Sequence, residues 1–182
     1  SLGAMLTDRI QRYGDRTYLR ERRGHETHSM TWNEFGREVF QIARQLIHEG
    51  IRPGDRIAMI SENRSEMFKF ELATVIIGAV TVPVYAGYPP RQLAYLLGHA
   101  RPKWVVVSGK HQLGKIEKDR HPWVRRYFCM DYDVDCDSWG AEEYSRLLRD
   151  GGASATELDE RIRAVQPDDL CVLMYTSGTT GM

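Results

Sequence analysis

Trp104-Val105-Val106-Val107 is an unbroken apolar run with no side chain suited to water. A strand with one solvated face alternates apolar and polar residues. An unbroken run needs cover on both faces, and a parallel sheet flanked by helices provides it. Further strand signals stand at 56–60, 81–85, 127–130 and 170–175, with helical periodicity in most of the intervals. That alternation implies an α/β domain, a mostly parallel sheet flanked by helices.

The helix signals are specific. Thr31-Trp32-Asn33-Glu34 fits a capping box, in which the Thr31 hydroxyl and the Glu34 carboxylate each satisfy a free N–H. Phe35, Val39, Ile42, Ala43 and Leu46 follow at helical spacing, and Gly50 supplies the stop. A second helix runs from a cap at Asn63 or Ser65 toward Gly78, offering Met67, Phe70, Leu72, Val75 and Ile76 for burial. Residues 5–13, 91–100, 138–149 and 156–165 read as further helices, the last capped by Thr156. Residues 17–22 and 26–30 read as a polar hairpin turning at Gly24. Ser1-Leu2-Gly3-Ala4, ahead of Met5, reads as a tag remnant outside the fold.

Composition narrows the function. Lys plus Arg and Asp plus Glu number 25 each, so no global field favours nucleic acid. The longest apolar stretch, 73–84, is too short for a membrane span and contains Pro83. Three cysteines without framework spacing point to a reducing cytoplasm. Cys129 and Cys136 are too widely spaced for a zinc knuckle, and Cys171 reads as a buried small hydrophobe. Asp131, Asp133, Asp135, Asp137 and Glu142 fall at the acidic positions of an EF-hand loop. Cys136 stands where that loop needs glycine, so solvated acids are the better reading. His25 and His28 read as surface histidines, and Tyr85 and Tyr88 as core packing or loop anchors. Arg20, Arg22 and Arg23 read as a solvated strand face, with peripheral membrane contact left open.

The chemistry concentrates in Tyr175-Thr176-Ser177-Gly178-Thr179-Thr180-Gly181-Met182, directly after an apolar strand signal. Glycines let backbone N–H groups converge on an anion, and hydroxyls add rotatable donors for phosphate oxygens. A loop at the end of a strand is where α/β proteins place nucleotide phosphates. G-x-x-x-x-G-K-[ST] cannot be laid over Gly178 and Gly181, so this is not a P-loop. On composition alone, a solvated linker remains the alternative.

Tyr175 to Gly181 resembles the phosphate-loop signature of the adenylate-forming superfamily, which includes acyl-CoA synthetases, luciferases and peptide-synthetase adenylation domains. Thr31-Trp32-Asn33-Glu34-Phe35, Gly54-Asp55-Arg56-Ile57-Ala58, Ser61-Glu62-Asn63-Arg64, Gly78-Ala79-Val80-Thr81-Val82-Pro83-Val84 and Pro167-Asp168-Asp169-Leu170 resemble further family segments, in family order. Glu62-Asn63-Arg64, Tyr88-Pro89-Pro90 and the terminal string look most like long-chain fatty acyl-CoA synthetases.

The resemblance implies a parent enzyme that joins a fatty acid to coenzyme A with ATP, through an acyl-adenylate, releasing AMP and diphosphate. Thr176, Ser177, Gly178, Thr179, Thr180 and Gly181 are matched to the ATP phosphates, with Mg²⁺ as the expected metal. The family's adenine pocket, ribose-binding Asp, metal-binding Glu and catalytic Lys have no counterpart here. Residues 5–182 are therefore expected to be the amino-terminal portion of the large domain, cut at the phosphate loop and inactive alone. An acyl-AMP ligase, an aryl-CoA or peptide-synthetase enzyme, and a non-catalytic α/β nucleotide-binding module stay open as alternatives. Chain length of the acid and oligomeric state are not readable.

Overall fold

The computed structural model describes residues 1–176, with the side chain of Arg23 left aside. The amino-terminal third wraps one face of a sheet. Helix α1 (Leu2–Tyr13) is followed by strands β1 (Thr17–Arg23) and β2 (Glu26–Thr31), an antiparallel hairpin turning at Gly24 with φ +61°. Helix α2 (Trp32–His48) starts on the expected capping box. The Thr31 hydroxyl accepts from the Glu34 amide at 3.2 Å, and Glu34 Oε2 accepts from the Thr31 amide at 2.8 Å. Its face of Phe35, Val39, Ile42, Ala43 and Leu46 is fully buried.

The sheet then builds outward from its centre. Strands β3 (Arg56–Ser61), β4 (Val80–Tyr85), β5 (Trp104–Val107), β6 (Arg126–Cys129) and β7 (Glu142–Glu143) lie side by side in the order β4-β3-β5-β6-β7, all parallel. Helices α3 (Ser65–Ile76), α4 (Pro90–Ala100) and the short α5 (Lys110–Leu113) make the crossovers, and α6 (Ala155–Ala164) returns to α1 and α2. Alternate strand residues feed two cores. Ile57, Met59, Trp104, Val106 and Phe128 face the side of α1, α2, α3 and α6. Ala58, Ile60, Val82, Val105 and Val107 face the side of α4 and α5. The unbroken run at Trp104–Val107 is buried along its whole length, as its composition requires.

Several expectations are corrected. Residues 138–149 do not form one α-helix. Gly140 takes the left-handed conformation at φ +55° and ends a 3-10 turn at Asp137–Trp139; β7 and a second 3-10 turn at Tyr144–Leu148 follow. Tyr144 is then buried beside Phe70, its hydroxyl donating to the Glu66 carbonyl at 3.1 Å. Neither Asn63 nor Ser65 caps α3. The cap position is Arg64, and the Ser65 amide instead donates to Glu21 of the hairpin at 3.1 Å. Ser154, two residues before Thr156, caps α6 by accepting from the Glu157 amide at 3.1 Å. Leu2, Gly3 and Ala4, read as lying outside the fold, form the first turn of α1. Gly3 is buried there, and a β-carbon at that position would come within 2.6 Å of Ile162.

The segment 170–175 departs most from expectation. It meets the free edge of β4 through one parallel bridge, Val172 to Thr81. The Thr81 amide donates to the Cys171 carbonyl, and the Leu173 amide to the Thr81 carbonyl, both at 2.9 Å. Outward-facing positions on β4 are Thr81, Pro83 and Tyr85, because Val80, Val82 and Val84 are directed to β3. The next donor on that edge would be residue 83, and proline has no N–H. The ladder stops there, leaving Leu170, Cys171 and Met174 exposed, so Cys171 is not the buried hydrophobe expected.

His121 gives the fold a pH dependence. Its ring is buried edge-on to Trp123 at 5.5 Å, and neither ring nitrogen has a hydrogen-bond partner among the described residues. Burial, then the charge of Arg120, lowers its pKa below 6.5. The folded state therefore resists protonation that the unfolded state accepts, so stability is retained above about pH 6.5 and falls as pH drops below it. Thermal melts at pH 7.5 and pH 5 should show a lower midpoint in acid, and His121→Phe should shrink that difference. An equal difference in the variant would assign the acid sensitivity elsewhere.

Candidate functional site at the carboxyl edge of the sheet

From β3 the chain crosses to β4 on one side, and from β5 to β6 on the other. The strand order thus reverses between β3 and β5, which opens a crevice at their carboxyl ends, where open α/β sheets bind ligands. The loops there are Ser61 to Arg64 after β3, Ala86 and Gly87 after β4, and Ser108 to Gly109 after β5.

A part-buried ionic network holds these loops together. Arg64 Nη1 donates to Asp131 Oδ1 at 2.7 Å and to the Ser108 carbonyl at 3.3 Å, while its Nε donates to Glu66 Oε2 at 3.0 Å. Burial opposes the charge on Arg64, but hydrogen bonds to Glu66 and Asp131 outweigh it and raise the pKa. Glu62 accepts from Gln112 Nε2 at 2.8 Å. Burial works against its charged form, yet hydrogen bonds from Ser108, its own backbone and Gln112 keep the carboxyl below its ordinary value. Lys115 Nζ donates to the Ala86 carbonyl at 2.7 Å, tying α5's exit to the loop after β4. At Gly87 a β-carbon would lie 2.4 Å from the Tyr85 ring, so only glycine lets Tyr85 fold back against Tyr88.

Beside β4, the segment 170–176 climbs toward the same edge. Leu173 and Tyr175 pack on the α4-side core. Tyr175 is clamped: its hydroxyl and His99 Nδ1 share a hydrogen bond at 2.6 Å, and the two rings meet edge-to-face at 5.6 Å. Tyr95 stacks on the same imidazole at 6.2 Å. Burial, then the neighbouring Tyr95, push the Tyr175 phenol up. Thr176 follows, exposed. Of the residues matched to phosphate, Thr176 is thus placed at the foot of the loop, while Ser177, Gly178, Thr179, Thr180 and Gly181 lie outside the described residues.

The other candidates separate cleanly. Asp131 belongs to Arg64, Asp135 Oδ1 accepts from the Ser138 amide at 3.3 Å, and Glu142 pairs with Arg126 and Arg146. Among the described residues no group of three His, Cys, Asp or Glu could hold a metal ion. His25 and His28 are exposed on the hairpin. Cys129 and Cys136 are buried thiols, and burial pushes the Cys129 thiol up to about 11. Also among the described residues, no helix is long and apolar enough to cross a membrane. The clamp at His99 and the network around Arg64 escaped the sequence reading. Tyr95 and His99, one turn apart on α4, were the available signal for the first.

An open parallel sheet covered on both faces, with a crevice where the strand order reverses, is the frame of a ligand-binding α/β domain. The chain belongs to the AMP-binding enzyme family, whose model matches residues 6–182. It is 30% identical to tyrocidine synthase 2 of Brevibacillus parabrevis over 156 residues, covering 86% of this chain and 4% of that one. It is 23% identical to a long-chain-fatty-acid–CoA ligase of Xenopus laevis over 184 residues, covering 97% of this chain and 24% of the other. Its fold matches the crystal structure described as a putative long-chain-fatty-acid CoA ligase from Rhodopseudomonas palustris, with a TM-score of 0.71 at 20% identity, over 85% of this chain and 37% of that one. The adenylation and carrier didomain of a carboxylic acid reductase from Segniliparus rugosus, in complex with AMP, gives 0.74 at 20% identity, over 99% and 30%. The chain spans under a third of the length of the first curated relatives that it matches.

The clamp makes a checkable claim about the loop's foot. His99→Ala removes one hydrogen bond and one ring contact from Tyr175, at a cost of about 1 kcal/mol. Amide exchange at Leu173 should accelerate while exchange within β5 stays unchanged. Arg64→Met should cost more, roughly 2 kcal/mol, because it takes charge-assisted hydrogen bonds from the Glu66 and Asp131 carboxylates.

Proposed function

We propose that this chain is the amino-terminal portion of an ATP-dependent, AMP-forming acyl-CoA synthetase acting on a fatty acid. Family membership and the 23% identity to a long-chain-fatty-acid–CoA ligase across 97% of the chain support the reading. The observation that carries it is the course of 170–176: the edge of β4, then the His99 clamp, bring Thr176 to the carboxyl edge just where the hydroxyl- and glycine-rich string begins.

In this reading a fatty-acid carboxylate oxygen attacks the α-phosphorus of ATP, and the bond to the β-phosphate oxygen breaks to release diphosphate. The coenzyme A sulfur then attacks the acyl carbon, and AMP leaves with the bonding electron pair. Thr176, Ser177, Thr179 and Thr180 donate hydroxyl hydrogen bonds to phosphate oxygens, and Gly178 and Gly181 let backbone amides approach them. Donors fixed in place before charge develops are the main source of such catalysis. Mg²⁺ enters with the nucleotide phosphates; no acidic cluster among the described residues is assigned to it. A second reading, transfer of the acyl group to an acceptor other than coenzyme A, draws on the 30% identity to tyrocidine synthase 2.

The 182 residues alone should bind Mg-ATP weakly and form no adenylate, because most of the nucleotide's contacts would be missing. A single-turnover assay of the chain with fatty acid and Mg-ATP tests this, and adenylate formed by it would reveal a complete site here. In the full-length parent, a long-chain fatty acid, ATP, Mg²⁺ and coenzyme A should yield AMP, diphosphate and the thioester. Thr176→Val should lower adenylation by about 10²- to 10³-fold with little change in stability. Adenylate without thioester selects the second reading, and ADP with phosphate overturns both.

A further inference from the structure

The opposite, amino-terminal edge of the sheet carries a second concavity. A cleft of about 550 Å³ lies between the turns that lead into β3, β5 and β6. Its charges are unevenly satisfied. Asp55 Oδ2 accepts from Lys103 Nζ at 2.6 Å and from the Arg52 amide at 2.8 Å, and Glu49 pairs with Arg126 at 2.7 Å. Both lining carboxylates are therefore engaged. The guanidiniums of Arg52, Arg101 and Arg125, which also line the cleft, have no carboxylate partner among the described residues.

Cations at this edge have an ordinary use, which is to meet the carbonyls at the carboxyl ends of α2 and α4. Lys103 does this, donating to the Gly50 carbonyl at 2.6 Å. The three guanidiniums make no such bond among the described residues. Arg101 is singular in another way: at φ 47° it is the one described residue other than glycine with positive φ, at a helix end that normally takes glycine. Its guanidinium lies 4.9 Å above the Trp123 ring, which holds it over the cleft wall. A strained backbone that keeps a cation at a concave surface is better explained by a ligand than by packing.

We propose that this cleft binds a diphosphate group, carried either by inorganic pyrophosphate or by a nucleotide. Unpaired guanidiniums match the spread of phosphate oxygens with forked donors, and a single carboxylate would leave most of that charge unmet. The cleft's volume falls in the range of small-molecule sites. The site lies at the edge of the sheet away from Thr176 and does not rest on the acyl-CoA synthetase reading.

Calorimetry at low salt on the 182-residue chain, with pyrophosphate and with ADP in separate titrations, decides the matter. One-to-one binding is expected, weakened at least roughly tenfold by Arg125→Ala and by Arg101→Gly. The second variant suits the left-handed backbone, and a thermal melt confirms that it stays folded. High salt should weaken binding, whereas Thr176→Val should leave it unchanged. ADP tighter than pyrophosphate, with the advantage lost in Trp123→Leu, identifies a nucleotide as the source; equal affinities identify pyrophosphate. Absence of binding at millimolar concentration, or binding lost in Thr176→Val and kept in both arginine variants, overturns the proposal.

Discussion

β3 has to be dry on both sides. Ile57 and Met59 point into one core, Ala58 and Ile60 into the other, and each is at most 1% exposed. Each large apolar side chain buried in this way contributes about 1.5–3 kcal/mol, so a strand with both faces covered holds far more of the stability than an edge strand can. The requirement propagates outward. Helices must lie on both faces, the strands must run parallel, and each strand must reach its neighbour through a crossover. With β3 interior, the chain fills β4 on one flank and then β5 on the other. The divergence at the carboxyl ends of β3 and β5, where a ligand can enter, is a geometric result of that order.

Polar groups drawn to that divergence are not free to act as catalytic acids or bases. Arg64 is shared between Asp131, Glu66 and the Ser108 carbonyl, and Gln112 is engaged with Glu62. Three loops from different strands are thereby locked to one another through one guanidinium. A network of this kind contributes rigidity more than net stability, because desolvating each ion offsets much of the attraction. Rigidity at the sheet edge is what a loop that must present donors at fixed positions requires from its support. The amino-terminal edge differs: its carboxylates are engaged, and three of its cations have no carboxylate partner among the described residues.

What could be read from the sequence followed from short-range physics. The Thr31 capping box, the buried face of α2, the hairpin at Gly24 and the doubly covered Trp104–Val107 each depend on residues within a few turns of one another, and each is present in the fold. Misreadings arose where a distant partner decides. Glu21, forty-four residues away in sequence, satisfies the α3 amino terminus that Asn63 and Ser65 were expected to cap. Pairing with β6 draws Glu142 and Glu143 out of a plausible helix. The clamp on Tyr175 depends on His99, whose role no local pattern announces. The string from Thr176 to Gly181 was matched to phosphate from its residue types and the family resemblance, and of it the described residues include only Thr176.

Pro83 shows how one residue serves sheet and loop together. In a parallel strand alternate residues bond to opposite neighbours, so a proline is tolerated where its missing N–H would face outward. Pro83 occupies such a position on β4, in register with Met59 of β3, and the backbone bonds toward β3 fall to the flanking valines. Placed there, it costs the sheet nothing on its buried side. On the open side it ends the ladder after Thr81 and releases the chain between Leu173 and Thr176. A continuous strand would have held Tyr175 by its backbone; here the side chain takes over, through His99 and the core beneath α4. A side-chain anchor thus fixes Tyr175 where no ladder bond of β4 reaches it.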